Sequence, residues 1–221
     1  MYNYVIFDMD GVIFDSERLF IECNKETAPK YGITDLDMVE EVSKKCIGVT
    51  NEATQVIMKE HFGEDFPIEE FWANSSSLFK ERSMGGQLPV KPGVTELLEF
   101  LKKENIPTAI ASSTKTETVK RELRDAGLLE YFDEIVGGDM IQKSKPAPDS
   151  FLKAMEVLGC RPDEVCIIED SFNGIRAAKA AGGFSIMVPD ILQPNDEIRS
   201  IAGTVLDSLH DVKKYFEALT M

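Results

Sequence analysis

The sequence predicts an α/β protein: a doubly wound parallel sheet, interrupted after its first strand by a small helical insertion. Three observations carry that expectation. From Pro92 onward, short β-branched or aromatic runs alternate with amphipathic helical stretches, a pattern that implies right-handed crossovers with helices on both faces of a parallel sheet. Between Leu36 and Arg82 no stretch reads as a strand, so a purely helical body sits inside an otherwise alternating chain. Finally, several strand-like runs end in polar clusters, which is where an open α/β sheet collects its chemistry.

The first strand is Val5-Ile6-Phe7, a run of residue types that favour a buried strand, and it ends at Asp8, Asp10 and Gly11. After Asp15 the pattern turns helical, with Leu19, Phe20 and Cys23 on one face and Ser16 positioned as the N-cap; Pro29 and Gly32 close that helix. Further amphipathic segments cover 38–46, 52–62 and 68–82, separated by Gly48 and by 63–67. Gly85-Gly86, Pro89 and Pro92-Gly93 read as a linker, so the expected division is a core of 1–15 with 87–221 and a helical domain of 16–86. In the remainder, Val94, Leu97, Leu98 and Leu101 mark a helix face, and 106–111 is a strand whose Pro107 lies near its start, where a missing donor is tolerated. A helix at 116–126, a short strand at 134–136 and a helix at 148–158 follow. The last elements are a strand at 165–168, a small-residue helix at 173–181, strands at 184–188 and 205–206, and a helix at 208–219. Such an order describes a Rossmann-like core.

The composition, 43% hydrophobic and 29% charged over 221 residues, suits a soluble globular chain. A formal net charge of −15 argues against nucleic-acid binding, which rests on phosphate neutralisation by Lys and Arg. No stretch approaches the ~20 apolar residues of a membrane span, and the first apolar run reaches Asp8 too soon for a signal-peptide core. Cys23, Cys46, Cys160 and Cys166 lack metal-finger spacing and read as buried thiols of a reducing cytosol. A cytoplasmic monomer, away from membranes, is the expectation. His61 and His210 lie in charged helical surroundings and read as surface residues.

The polar clusters carry the chemistry. Asp8 and Asp10 flank Met9, so in extended backbone their carboxylates share one side and repel unless a cation or proton intervenes. An isolated Asp-x-Asp-Gly is more often a solvated turn, and an EF-hand loop starting at Asp8 would put apolar Val12 at its fifth ligand position. Ser112, Ser113, Thr114 and Lys115 form a strand-to-helix junction suited to an anion, where a helix cap alone would need only one hydroxyl. Lys145 precedes Pro146 and Pro148, which set the backbone leading into a helix. Glu169 and Asp170 follow four apolar residues, a poor place for carboxylates without a cation. Hard oxygen ligands of this kind suit Mg²⁺ held together with a phosphate, and no P-loop pattern is present.

Taken in order, DMDGV at 8–12, IASS ending at Ser113, SKPAPD at 144–149 and IIEDSFNG at 167–174 closely resemble the four motifs of the haloacid dehalogenase-like superfamily. The helical insertion resembles the C1 cap of the branch that contains β-phosphoglucomutase and small sugar phosphatases. The resemblance implies Asp8 as nucleophile forming an aspartyl-phosphate, and Asp10 as general acid and then base. It implies Mg²⁺ on Asp8, the backbone carbonyl of Asp10, and Asp170, with Glu169 close by. Ser112 would hold a phosphoryl oxygen and Lys145 would neutralise both nucleophile and phosphoryl group. Ser113, Thr114 and Lys115, with Gly48 and Asn51 of the cap, would contact a small phosphorylated metabolite.

Within that branch the mutases carry cap cations, a Lys before a Gly and an Arg soon after it, that hold a second phosphate. Here Ile47 and Asn51 stand at those positions, and Phe20 stands where the mutases have a His. The expectation is therefore a sugar- or polyol-phosphate phosphatase, with a phosphomutase as the alternative. A non-catalytic binding module is disfavoured because Asp8, Asp10, Ser112, Lys145 and Asp170 are all present.

Overall fold

The structure is a computed structural model describing residues 2–47 and 51–220. Its elements in chain order begin with β1 (Tyr4–Phe7), followed by helices α1 (Ser16–Thr27), α2 (Leu36–Lys45), α3 (Asn51–Phe62), α4 (Ile68–Ser83) and α5 (Val94–Lys103). Strand and helix then alternate as β2 (Thr108–Ala111), α6 (Thr116–Asp125), β3 (Glu134–Val136), α7 (Asp149–Leu158), β4 (Val165–Glu169) and α8 (Phe172–Ala181). The chain closes with β5 (Phe184–Met187), α9 (Asp196–Ile201), β6 (Thr204–Val205) and α10 (Leu209–Thr220). It divides into two compact units, Met1–Asp15 with Pro89–Met221, and Ser16–Leu88.

The first unit is built on one six-stranded sheet in the order β3-β2-β1-β4-β5-β6, with every pairing parallel. The connection from β1 leads to β2 on one side, and β4 occupies the other, so the winding direction reverses at β1. That reversal leaves a crevice at the carboxyl ends of the strands, where neighbouring connections run to opposite faces. β2 and β4 are buried along their whole length, which is why they read as continuous apolar runs rather than as an alternation. One core cluster joins Ile6, Ala109, Val136, Phe151, Ile167 and the small residues Ala177, Ala178 and Ala181 of α8. Those alanines let α8 lie close to the sheet.

The second unit packs α1 against α2 and α4, with Val39, Val42, Met58, Ile68 and Phe71 forming its buried cluster. Asp35 caps α2 by accepting from the Met38 N–H at 3.0 Å. Ser16, expected as the cap of α1, is instead its first helical residue. The inward side of α1 also differs from the apolar periodicity: Ile21 and Cys23 are buried, but so are Asn24 and Thr27, whereas Leu19 and Phe20 are half-buried. Helix α9 is an addition to the sequence reading, because its six residues carry too short a periodic pattern to be recognised. Of the four cysteines, Cys23 and Cys166 are buried and Cys46 and Cys160 half-buried, so the uniform burial expected of them holds for two.

Candidate active site

The carboxyl ends of β1, β2 and β4 converge on one group of side chains. Asp8 follows β1 directly, and its N–H donates to the Ile168 carbonyl at 2.9 Å, which extends the sheet pairing and holds the backbone from which the carboxylate projects. Immediately beyond it the chain turns at Gly11, whose φ of +83° lies in the left-handed region. A Cβ at Gly11 would stand 2.3 Å from Asp170 Oδ2, so the loop and the end of β4 approach in a way only glycine permits. The Gly11 N–H closes the turn by donating to the Phe14 carbonyl at 2.9 Å.

At the end of β4, Glu169 is buried and Asp170 nearly so. The Ser171 N–H donates to Glu169 Oε2 at 2.6 Å, and Ser171 Oγ caps α8 by accepting from Gly174 at 3.0 Å. A Cβ at Gly174 would fall 1.6 Å from Glu169 Oε1, so the first turn of α8 holds the Glu169 carboxylate against glycine backbone. Asp8, Glu169 and Asp170 each offer a carboxylate oxygen within 4.8 Å of the others. At that spacing each ionised pair repels by about 3–4 kcal/mol at an effective dielectric of ~20.

Lys145 is the counter-charge. Its buried ammonium donates to Asp8 Oδ1, to Glu169 Oε1 at 2.9 Å and to the Ala111 carbonyl at 3.2 Å, and it lies 4.8 Å from the centre of the Phe151 ring. Burial alone would disfavour the ammonium, but the Asp8 and Glu169 carboxylates outweigh it and raise its pKa, so it is charged. Asp8 is pushed up by burial; Lys145 pulls it back, and Glu169 and Asp10 push it up again. One ammonium thus faces four acidic side chains, Asp8, Asp10, Glu169 and Asp170. The oxygen-only donor set, its hardness and the glycine cradle around Asp170 fit a bound Mg²⁺.

The junction after β2 has a different order from the one expected. Ser112 is fully buried, with its N–H donating to the Val136 carbonyl at 3.0 Å and its Oγ accepting from the Thr114 N–H at 3.0 Å. Thr114 Oγ1 donates to Asp10 Oδ2 at 3.1 Å, so this hydroxyl orients the second carboxylate. Ser113 and Lys115 are exposed. None of these hydroxyls caps α6: Asp139 does so from across the next loop, accepting from both the N–H and Oγ1 of Thr116 at 2.7 Å. The backbone donor from Thr116 holds the Asp139 carboxyl below its usual range. Gly137 and Gly138 allow that closeness, since a Cβ at either would be within 2.3 Å of Thr116 or Ser113 backbone.

Of the residues singled out from sequence, Asp8, Glu169 and Asp170 come together, Lys145 pairs with the first two, and Asp10 and Ser112 are linked to each other through Thr114. Gly48 lies outside the described residues, while Asn51 begins α3. Ile47 and Phe20 both line a half-open pocket of the helical unit. Sequence reading missed three contributors: the Ala111 carbonyl, the Phe151 ring and Glu122. Glu122 is buried on α6, with Oε1 held by Arg121 Nη2 at 2.9 Å; burial, and then Asp10, raise its carboxyl pKa. Its position between Val119 and Leu123 on the inward face was the available signal.

Comparison with known proteins agrees with this geometry. A family model described as haloacid dehalogenase-like hydrolase matches residues 5–188. The phosphorylated carbohydrates phosphatase of Thermotoga maritima is 35% identical over 214 residues, covering 97% of this chain and 90% of that protein. The crystal structure of CbbY from Rhodobacter sphaeroides in complex with phosphate is similar at TM-score 0.74 and 26% identity, covering 96% of both chains. A HAD family hydrolase from Deinococcus radiodurans, with bound phosphate and sodium, superposes at TM-score 0.79 and 25% identity, over 97% of this chain and 95% of that one. With the fold, the converging strand ends and these likenesses together, the chain belongs to the haloacid dehalogenase-like hydrolase family.

Proposed function

We propose that this hydrolase is a Mg²⁺-dependent phosphatase that cleaves a small sugar or polyol phosphomonoester through an aspartyl-phosphate on Asp8. The observation that carries the reading is the meeting of Asp8, Glu169 and Asp170, the first two of them paired with one buried ammonium, Lys145. Phosphoryl transfer is mostly positioning and charge neutralisation, and a divalent cation would supply the positive charge that Lys145 alone does not. In the first half-reaction an Asp8 carboxylate oxygen bonds to phosphorus as the bond from phosphorus to the alcohol oxygen breaks. The Asp10 carboxyl gives its proton to that leaving oxygen. Water then attacks phosphorus, its proton passes to Asp10, and the bond to Asp8 breaks to release inorganic phosphate. Lys145 orients Asp8 and offsets charge on the transferring group, Thr114 orients Asp10, and Ser112 stands ready for a phosphoryl oxygen.

The name of the Thermotoga relative, a phosphatase of phosphorylated carbohydrates, supports the substrate class. Apolar Ile47 and Phe20, both on the pocket wall of the helical unit, support hydrolysis over mutase action, which needs cations for a second phosphate. We assign substrate selection to the helical unit, with Gly48 and Asn51 contributing, and substrate contacts also to Ser113, Thr114 and Lys115. Among the described residues no helix is long and apolar enough to cross a membrane, and we take the protein to be a cytoplasmic monomer.

The test is phosphate release from p-nitrophenyl phosphate and a panel of sugar, polyol and nucleotide phosphates, with Mg²⁺ and with EDTA. Wild type is expected to need Mg²⁺, and Asp8→Asn to lose about a thousandfold or more while remaining folded. Asp8→Asn retaining more than a few per cent of activity would remove Asp8 from the nucleophile role. Efficient isomerisation of β-glucose 1-phosphate would put the mutase reading first.

A further inference from the structure

Lys145 has one neighbour whose chemistry is not that of an ion pair or a hydrogen bond, the ring of Phe151. In a parallel sheet each crossover helix begins at the carboxyl edge of the strands, and α7 follows β3 in that way, packing on β2 and β3. Phe151 lies in its first turn and shares the inward face with Ala154 and Met155, at i+3 and i+4. The side chain is fully buried in the cluster that contains Ile6, Ala111 and Val136, so the core fixes the ring at the edge where the acidic group stands. The Lys145 ammonium lies over the ring, 4.8 Å from its centre.

An ammonium has three N–H donors, and those of Lys145 go to Asp8, Glu169 and the Ala111 carbonyl. The ring therefore acts on the charge itself, through the negative face of its π system. The Lys145 side chain is 8% exposed, so water screens that attraction weakly. These four neighbours fare differently during turnover. Asp8 would exchange its carboxylate charge for a bond to phosphorus, and Glu169 belongs to the group that fits a metal. The Ala111 carbonyl and the Phe151 ring keep the same charge distribution throughout.

We infer that Phe151 is a positioning residue, whose ring face holds the Lys145 ammonium in place while the charge on Asp8 changes. The part that concerns turnover rests on the proposed function; the hold on the resting ammonium does not. A ring that only fills space would behave otherwise. It would tolerate added fluorine, which changes its volume little and leaves it apolar, whereas each fluorine withdraws charge from the face that a cation needs.

The test replaces Phe151 in the full-length protein by 4-fluoro-, 3,5-difluoro- and 3,4,5-trifluorophenylalanine, with Lys145 present and in Lys145→Met. In EDTA, the folding constant from urea titration is expected to fall stepwise, by about thirtyfold across the series, or ~2 kcal/mol at 1.4 kcal/mol per tenfold. In Lys145→Met the same series should stay within about twofold. With Mg²⁺ and p-nitrophenyl phosphate, kcat should fall by about three- to tenfold while KM stays within about twofold, because the ammonium's place counts most where charge moves. A folding constant indifferent to fluorine, or equally sensitive in Lys145→Met, would overturn the inference. An active enzyme with graded stability and a constant kcat would overturn the positioning role. Should Lys145→Met not fold, the graded kcat at constant KM decides, since a space-filling ring would not produce it. Graded stability that depends on Lys145, in a protein that hydrolyses no phosphomonoester, would remove the proposed function and leave the hold on Lys145 standing, so the two readings fail separately.

Discussion

In the α/β unit the buried polar residues are the acids Asp8, Glu122, Glu169, Asp170 and Asp190 beside the neutral Thr108, Ser112, Thr116, Ser150 and Ser185. In the helical unit they are Ser16, Asn24, Thr27, Thr54, Ser75 and Ser83, all of them neutral. Both units therefore bury polarity, but among the described residues only one buries charge. The difference follows from what each architecture offers. Parallel strands ending side by side present backbone donors, a lysine and glycine-lined turns to the same few ångströms, so carboxylates can be held there at high local cost. Helices packed along their lengths have already satisfied their backbone groups internally, and the burial of an ion between them would go uncompensated. The contrast is one of charge: one unit buries carboxylates together with a lysine, the other buries neutral polar groups.

The sharpest way to break that comparison is to remove the one cation from the acidic group. Lys145→Met should destabilise the metal-free protein by about 3–5 kcal/mol, the usual consequence of stripping the partner from buried charges. Urea titration with and without Mg²⁺ checks this, and a smaller deficit in Mg²⁺ is expected because the metal takes over part of the neutralisation. A Lys145→Met protein as stable as wild type without metal would mean that the carboxylates do not carry the charge assigned to them.

A comparable loss of stability with the opposite functional signature is expected in the helical unit. Phe71 is fully buried among Val39, Met58 and Ile68, and Phe71→Ala should cost about 3–5 kcal/mol. Mg²⁺ affinity, read by calorimetry, should stay within about twofold, since Phe71 belongs to the other compact unit. A tenfold change in metal affinity would show that packing within the helical unit bears on the acidic group.

Gly174→Ala is a finer probe of the acidic group. The added methyl would fall 1.6 Å from Glu169 Oε1, so Glu169 must move off its place beside Lys145. Disturbing the groups that orient a metal site costs about 10–100-fold in affinity, and calorimetric Mg²⁺ titration should find a loss in that range. The smallest effect is expected at Asp139. Thr116 holds its carboxyl below the ordinary value of 3.8, so this contact stabilises the fold above that pH and is lost as pH falls through the lower folded value. Asp139→Asn should flatten the acid side of the stability profile below about pH 4 while leaving metal binding unchanged, as followed by circular dichroism.

Much of this was legible before any coordinates. Strand and helix alternation after Pro92 determines a parallel sheet because β-branched runs and amphipathic faces have no other way to bury together. The sequence also pointed to Asp8, Asp10, Glu169 and Asp170, since charges directly after apolar strands demand a compensating partner, whereas Lys145 stood out through the prolines after it and the family motif around it. What it could not identify is who compensates whom. Thr114 bonding Asp10, Asp139 capping α6 in place of the local hydroxyls, and Ala111 offering its carbonyl to Lys145 all join residues distant in the chain. Only the register of the six strands decides these partners, because a side chain's neighbours across a sheet are set by pairing and not by spacing. The same holds for α1, where buried Asn24 and Thr27 depart from the apolar face expected from Leu19, Phe20 and Cys23, because helix packing and not periodicity alone decides which side is covered.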